Sequence, residues 1–108
     1  MVPSILIVED DLTFSTMLKT WLRKKGFEVE TASTQAKARK QIGTRDFDLI
    51  LSDLRLPDQD GLSLLSWLRE QGNQVPFIIM TSYAEIQSAV RAMKEGATDY
   101  ISKPVQPD

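Results

Sequence analysis

At 108 residues the chain is the size of a single domain with a modest core, and an apolar fraction of 42% excludes a disordered tail. Its 15 acidic and 13 basic residues leave a net charge of −2, too little positive field for nonspecific nucleic-acid binding. With no cysteine and no histidine, disulfides, thiol catalysis and imidazole acid-base chemistry are excluded, and any metal must be a hard ion held by oxygen.

Ile5, Leu6, Ile7 and Val8 form a short apolar run that breaks into Glu9, Asp10 and Asp11, which reads as a buried strand with an acidic tip. Such runs are far below membrane length and no signal peptide precedes them, so a soluble, cytoplasmic domain is expected. Phe14, Met17, Leu18, Trp21 and Leu22 then repeat at helical spacing, and Gly26 is placed to end that helix as its C′ residue. Phe27 to Glu30 alternates apolar with charged, as an edge strand does. A second helix is expected from about Thr34 to Gly43, capped by Ser33 or Thr34, with Ala38 and Ile42 as its best buried pair. The lysines and arginines of these two helices read as solvated faces.

Leu49, Ile50 and Leu51 make a second buried strand, which delivers Asp53 before the chain turns through Leu-Pro-Asp-Gln-Asp-Gly. Asp60 and Gly61 open a third helix with Gly61, Leu64, Leu65 and Leu68 inward and Trp67 half buried. Val75 to Met80 is a third buried strand, ending in Thr81 and Ser82. Ile86, Ala89, Val90 and Met93 give the inner stripe of a fourth helix closed by Gly96, and Asp99 to Ser102 is a short mixed strand before Lys103-Pro104.

Strand and helix alternate five times without a repeat or linker, which predicts an α/β domain with a doubly wound, five-stranded parallel sheet. The wholly apolar strands belong in its middle and the mixed ones at its edges. With right-handed crossovers the strand order is then 2-1-3-4-5, the flavodoxin-like arrangement. That order collects Glu9, Asp10, Asp53, Thr81 and Lys103 at the carboxyl edge, where open α/β sheets bind ligands. Taken alone, Asp53 either caps a turn or carries chemistry. Three carboxylates brought together without a counter-charge repel one another, a cost that a divalent cation removes. Magnesium suits such a site because it keeps several waters, so that one or two carboxylates, a backbone carbonyl and a phosphoryl oxygen satisfy it. The Thr81 hydroxyl and the Lys103 ammonium add a donor and a positive charge for that phosphoryl group.

Ile-Val-Glu-Asp-Asp at 7 to 11, Ser-Asp-Leu-Arg-Leu-Pro-Asp-Gln-Asp-Gly at 52 to 61, Met-Thr-Ser-Tyr at 80 to 83 and Asp-Tyr-Ile-Ser-Lys-Pro at 99 to 104 carry a family resemblance. In that order they resemble the receiver domain of bacterial two-component response regulators, and over essentially the whole chain. The wording around Asp53 is most similar to receivers of the nitrogen-regulator type. The resemblance implies a CheY-like fold in which Asp53 is the phosphoacceptor. It makes Glu9 and Asp10 the acidic pair for Mg2+, joined by Asp53 and the backbone carbonyl of Arg55. It also makes Thr81 the switch hydroxyl, Lys103 a phosphoryl contact followed by a cis Lys103-Pro104 peptide, and Tyr100 the aromatic switch residue. On sequence alone Tyr100 reads sooner as an ordinary edge-strand aromatic. Asp11 is excluded from the metal set, as a first-turn residue facing the helix dipole.

The implied partners are a sensor histidine kinase and an output domain, of ATPase and DNA-binding type, beyond the chain, with a homodimer forming on activation. Residues 1–108 are then a receiver domain cut before its fifth helix, which leaves apolar surface on one side of the sheet. The expected function is a phosphorylation switch that catalyses only its own modification. The alternatives are a magnesium-dependent phosphatase with Asp53 as nucleophile and a binding module that is never phosphorylated. Against the phosphatase stands Arg55, where such enzymes commonly place an acid.

Overall fold

A computed structural model describes residues 2–81 and 86–102 of the chain, and the side chains of all of these except Ile86. The elements are β1 (Ser4–Val8), α1 (Leu12–Lys24), β2 (Glu28–Ala32), α2 (Gln35–Thr44), β3 (Leu49–Asp53), α3 (Gly61–Glu70), β4 (Phe77–Thr81), α4 (Ile86–Lys94) and β5 (Asp99–Ser102). All strand pairs are parallel and the sheet order is β2-β1-β3-β4-β5, as the apolar and mixed strands predict. Among the described residues no helix is long and apolar enough to cross a membrane.

Because successive strand residues face opposite sides, each central strand feeds two cores. Leu6, Val8, Ile50, Phe77 and Ile79 pack with Ala38 of α2, Leu64, Leu65 and Leu68 of α3, and Ala92 of α4. Ile5, Ile7, Leu51 and Met80 pack on the other face with Leu18 and Leu22 of α1, while Leu49, Ile78 and Ile101 are partly buried there. Helices therefore cover both faces of the sheet.

The helix starts are built from local side chains. Asp11, Thr34 and Asp60 have extended backbones, and their side chains accept the amides of Phe14 (3.1 Å), Lys37 (3.1 Å) and Ser63 (2.9 Å), satisfying donors that the first helical turn leaves open. Gly26 follows the Lys25 C-cap of α1 with φ of 99°, the left-handed position glycine takes at no steric cost.

The inner stripes of two helices differ from those that hydrophobic spacing predicts. In α1 Met17 is exposed, and the buried residues are Ser15, Leu18 and Leu22, with Phe14 and Trp21 partly buried. In α4 Val90 and Met93 are exposed, whereas Ala89 and Ala92 are fully buried. The reason is close approach: α4 sits on β4 and β5 through its smallest side chains, and a reading weighted by side-chain hydrophobicity favours valine and methionine over alanine. β2 and β4 also begin later than expected, at Glu28 and Phe77, and run on to Ala32 and Thr81.

Candidate functional site

The site lies where β1 and β3 end side by side. Their register pairs Val8 with Ser52, so Glu9 and Asp10, just past the end of β1, stand next to Asp53, the last residue of β3. The Glu9 amide still bonds Ala32 of β2 (2.9 Å), and this continuation of the ladder buries Glu9 while Asp10 is exposed and Asp53 half-buried. One carboxylate oxygen from each of Glu9, Asp10 and Asp53 lies within 4.8 Å of the others. Three acids this close repel one another when charged, and an all-oxygen donor set graded from buried to exposed fits a hard divalent ion that keeps waters on its open side.

Asp11 takes no part in this cluster. Its carboxylate caps α1, and its own amide donates to Glu9 Oε2 at 3.1 Å, so it orients a neighbouring acid instead of joining it. It is the N-cap, one position before the first turn in which the sequence placed it.

The loop after Asp53 is short and tied at both ends. Leu54 extends the pairing with β4 through its amide to the Met80 carbonyl (3.1 Å), and Gly61 donates back to the Leu54 carbonyl (2.7 Å). Arg55 bridges Asp60 across the loop, and its amide donates to Asp53 Oδ1 at 3.3 Å, which keeps the Arg55 backbone at the rim of the acidic cluster.

Thr81 is buried as the last residue of β4, one position beyond Met80, the register partner of Asp53. On β5 Ser102 pairs with Thr81 and Tyr100 with Ile79, and Tyr100 is exposed. Lys103 and Pro104, like Ser82 and Tyr83, lie outside the described residues. Two residues of the loop's support were not singled out in the sequence, Gln35 and Asp58. Gln35 is a buried polar residue in an amphipathically weak helix, and neither hydropathy nor motif marks it.

An open parallel α/β domain with carboxylates at the tips of β1 and β3 and a hydroxyl at the tip of β4 defines a class of acidic, carboxyl-edge sites. The chain belongs to the response regulator receiver domain family, whose model matches residues 5–108. It is 38% identical over 104 residues to the transcriptional regulatory protein ZraR of Escherichia coli K12, covering 96% of this chain and 24% of that protein. It is 41% identical over 102 residues to the photosynthetic apparatus regulatory protein RegA of Rhodovulum sulfidophilum, covering 94% of this chain and 56% of the relative. The chain thus spans about a quarter of the one relative and just over half of the other. Among solved structures it matches the receiver domain of NtrX from Brucella abortus with a TM-score of 0.90 and 31% identity, over 96% of this chain and 88% of that one. It also matches a CheY-like receiver domain protein from Methanospirillum hungatei JF-1 with a TM-score of 0.91 and 36% identity, over 99% and 86%. These likenesses bear out the similarity to receivers of the nitrogen-regulator type.

Proposed function

We propose that the domain is a phosphorylation switch in which Asp53 accepts a phosphoryl group from a phosphohistidine of a sensor histidine kinase. An Asp53 carboxylate oxygen attacks phosphorus, the phosphorus–nitrogen bond breaks, and the imidazole departs and takes up a proton. Glu9, Asp10, Asp53 and the Arg55 carbonyl are the residues that hold Mg2+. When bound, that ion offsets the negative charge of the carboxylates and of the incoming phosphoryl oxygens. The observation that carries this reading is the approach of the Glu9, Asp10 and Asp53 oxygens to within 4.8 Å at the carboxyl edge of the sheet.

Thr81 serves as the hydroxyl donor to the phosphoryl group and Lys103 as its counter-charge, with Tyr100 as the aromatic that responds. The phosphoryl group, carrying about −1.5 to −2 charges at neutral pH in place of the single negative charge of the carboxylate, biases a two-state equilibrium of the α4–β5 face. The domain then acts in the cytoplasm as the input of a longer regulator, with an ATPase and DNA-binding output and dimerisation on activation, a reading supported by the greater length of its relatives.

The test is intact mass after incubation with acetyl phosphate and Mg2+. A gain of one phosphoryl group that is absent in Asp53→Asn supports the switch. Catalytic release of phosphate from ordinary esters, with no lasting adduct, supports a phosphatase instead.

A further inference from the structure

The loop carrying Arg55 is gripped by α2, a helix remote from it in sequence. The Asp58 carboxylate straddles the first turn of α2, Oδ1 accepting the Gln35 amide and Oδ2 the Ala36 amide, each at 2.9 Å. These are two of the donors that a helix start cannot satisfy internally, and the Thr34 cap is already engaged with Lys37. Gln35 reaches the other way: its side chain is buried, and Nε2 donates to the Asp60 carbonyl at 2.8 Å. One turn further along α2, Arg39 donates to the side-chain oxygens of Gln35 and Gln59, and its guanidinium lies 5.0 Å from the centre of the Trp67 ring of α3. Residues 58, 59 and 60 are therefore all held from α2, and the short stretch back to Asp53 has its other end pinned by Leu54 and Arg55.

We propose that Asp58 is a positioning residue for the phosphoacceptor site: with Gln35 it clamps the β3–α3 loop onto α2 and so fixes the Arg55 backbone, and its carbonyl, beside Asp53. The inference rests on the reading of Glu9, Asp10, Asp53 and Arg55 as the magnesium set. Asp58 lies three residues from Arg55 and has no place in the acidic cluster, so its effect on the ion passes through the loop alone. A consequence is that damage to the start of α2 has two separable forms, loss of helix capping and loss of loop registration.

Calorimetric titration with Mg2+ alone, on the wild type and on Asp58→Ala, Thr34→Ala and Asp10→Ala, separates these. Asp58→Ala is expected to weaken Mg2+ binding about tenfold, the lower end of what the partners of metal ligands supply. Thr34→Ala, which removes the cap of the same helix and leaves the clamp intact, is expected to bind within about twofold of wild type, since the loop still holds its register. Hydrogen exchange without Mg2+ should show the Gln35 and Ala36 amides deprotected in Asp58→Ala. Wild-type affinity in Asp58→Ala, or equal weakening in Thr34→Ala, overturns the positioning role and leaves only a structural one. A wild type that binds no Mg2+, or an Asp10→Ala that binds as tightly as wild type, overturns the metal reading and the clamp with it.

Discussion

Gly61 packs directly on the backbone of Asp53. A Cβ at position 61 would stand 2.5 Å from the Asp53 carbonyl oxygen and 3.2 Å from the Leu54 Cα, and the Gly61 amide is at the same time bonded to the Leu54 carbonyl. The obstruction is backbone on both sides, so no side chain can swing clear. Gly61→Ala is accordingly expected to cost about 1–3 kcal/mol of stability, the range for overpacking a tight site. It should also push Asp53 away from Glu9 and Asp10. Urea unfolding and Mg2+ titration of the same variant check both effects, and an unchanged Mg2+ affinity would show that the contact serves stability alone.

Asp10 and Asp11 are adjacent acids with different duties. Asp10→Ala removes one of three clustered carboxylates and is expected to abolish tight Mg2+ binding while leaving α1 intact. Asp11→Ala removes the N-cap of α1, which typically costs about 1 kcal/mol, and is expected to leave Mg2+ affinity unchanged, since Asp11 lies outside the cluster of three carboxylates. Thermal melts and metal titrations on the two variants should give opposite patterns. Matching losses of affinity would put Asp11 among the ligands.

The Asp58 clamp carries a pH signature. Hydrogen bonds from the Gln35 amide, then from Ala36 and Gln59, outweigh desolvation and lower the Asp58 pKa below its ordinary value of 3.8. A group whose folded pKa is depressed adds stability above its unfolded value and loses it as pH falls through the folded value. The stability gap between wild type and Asp58→Ala should thus be constant from pH 7 to about pH 5 and close as the pH is taken below 3.8. Chemical denaturation across this range measures it, and a gap that persists unchanged at pH 2.5 would mean that the carboxylate charge is not what holds the loop.

Phosphorylation of Asp53 is expected to act on the exposed side of α4 and β5. Thr81 and Tyr100 lie on neighbouring strands, and Tyr100, Val90 and Met93 are all exposed large side chains on these last elements. With Mg2+ and beryllofluoride as a phosphoryl mimic, amide shifts should change across residues 86–102 as well as around Asp53. Changes confined to the Asp53 crevice would refute a switch that runs through Thr81 and Tyr100.

Sheet order and the three clustered acids were legible in the sequence because both follow from strand hydrophobicity: continuous runs such as Ile5 to Val8 name the central strands, and each run ends at a polar tip. The inner face of α4 was not legible in the same way. Ala89 and Ala92 are buried because a helix can approach β4 and β5 closely only through small side chains, and no local pattern distinguishes such an alanine from an exposed one. Gln35 and Asp58 were missed for a related reason. Their pairing is polar and spans the β3 strand between them, so neither helical periodicity nor strand alternation signals it.

The acidic cluster draws on the ends of β1 and β3, with β2 and its crossover helices threaded between them in sequence. Each long connection must close before these tips can meet, which places formation of the site among the slow, non-local events of folding. No peptide cut from around Asp53 can reproduce it, since Glu9 and Asp10 reach Asp53 only through the paired sheet. An ion that binds only the completed arrangement stabilises the native chain by mass action, and Mg2+ should therefore slow unfolding more than it speeds refolding.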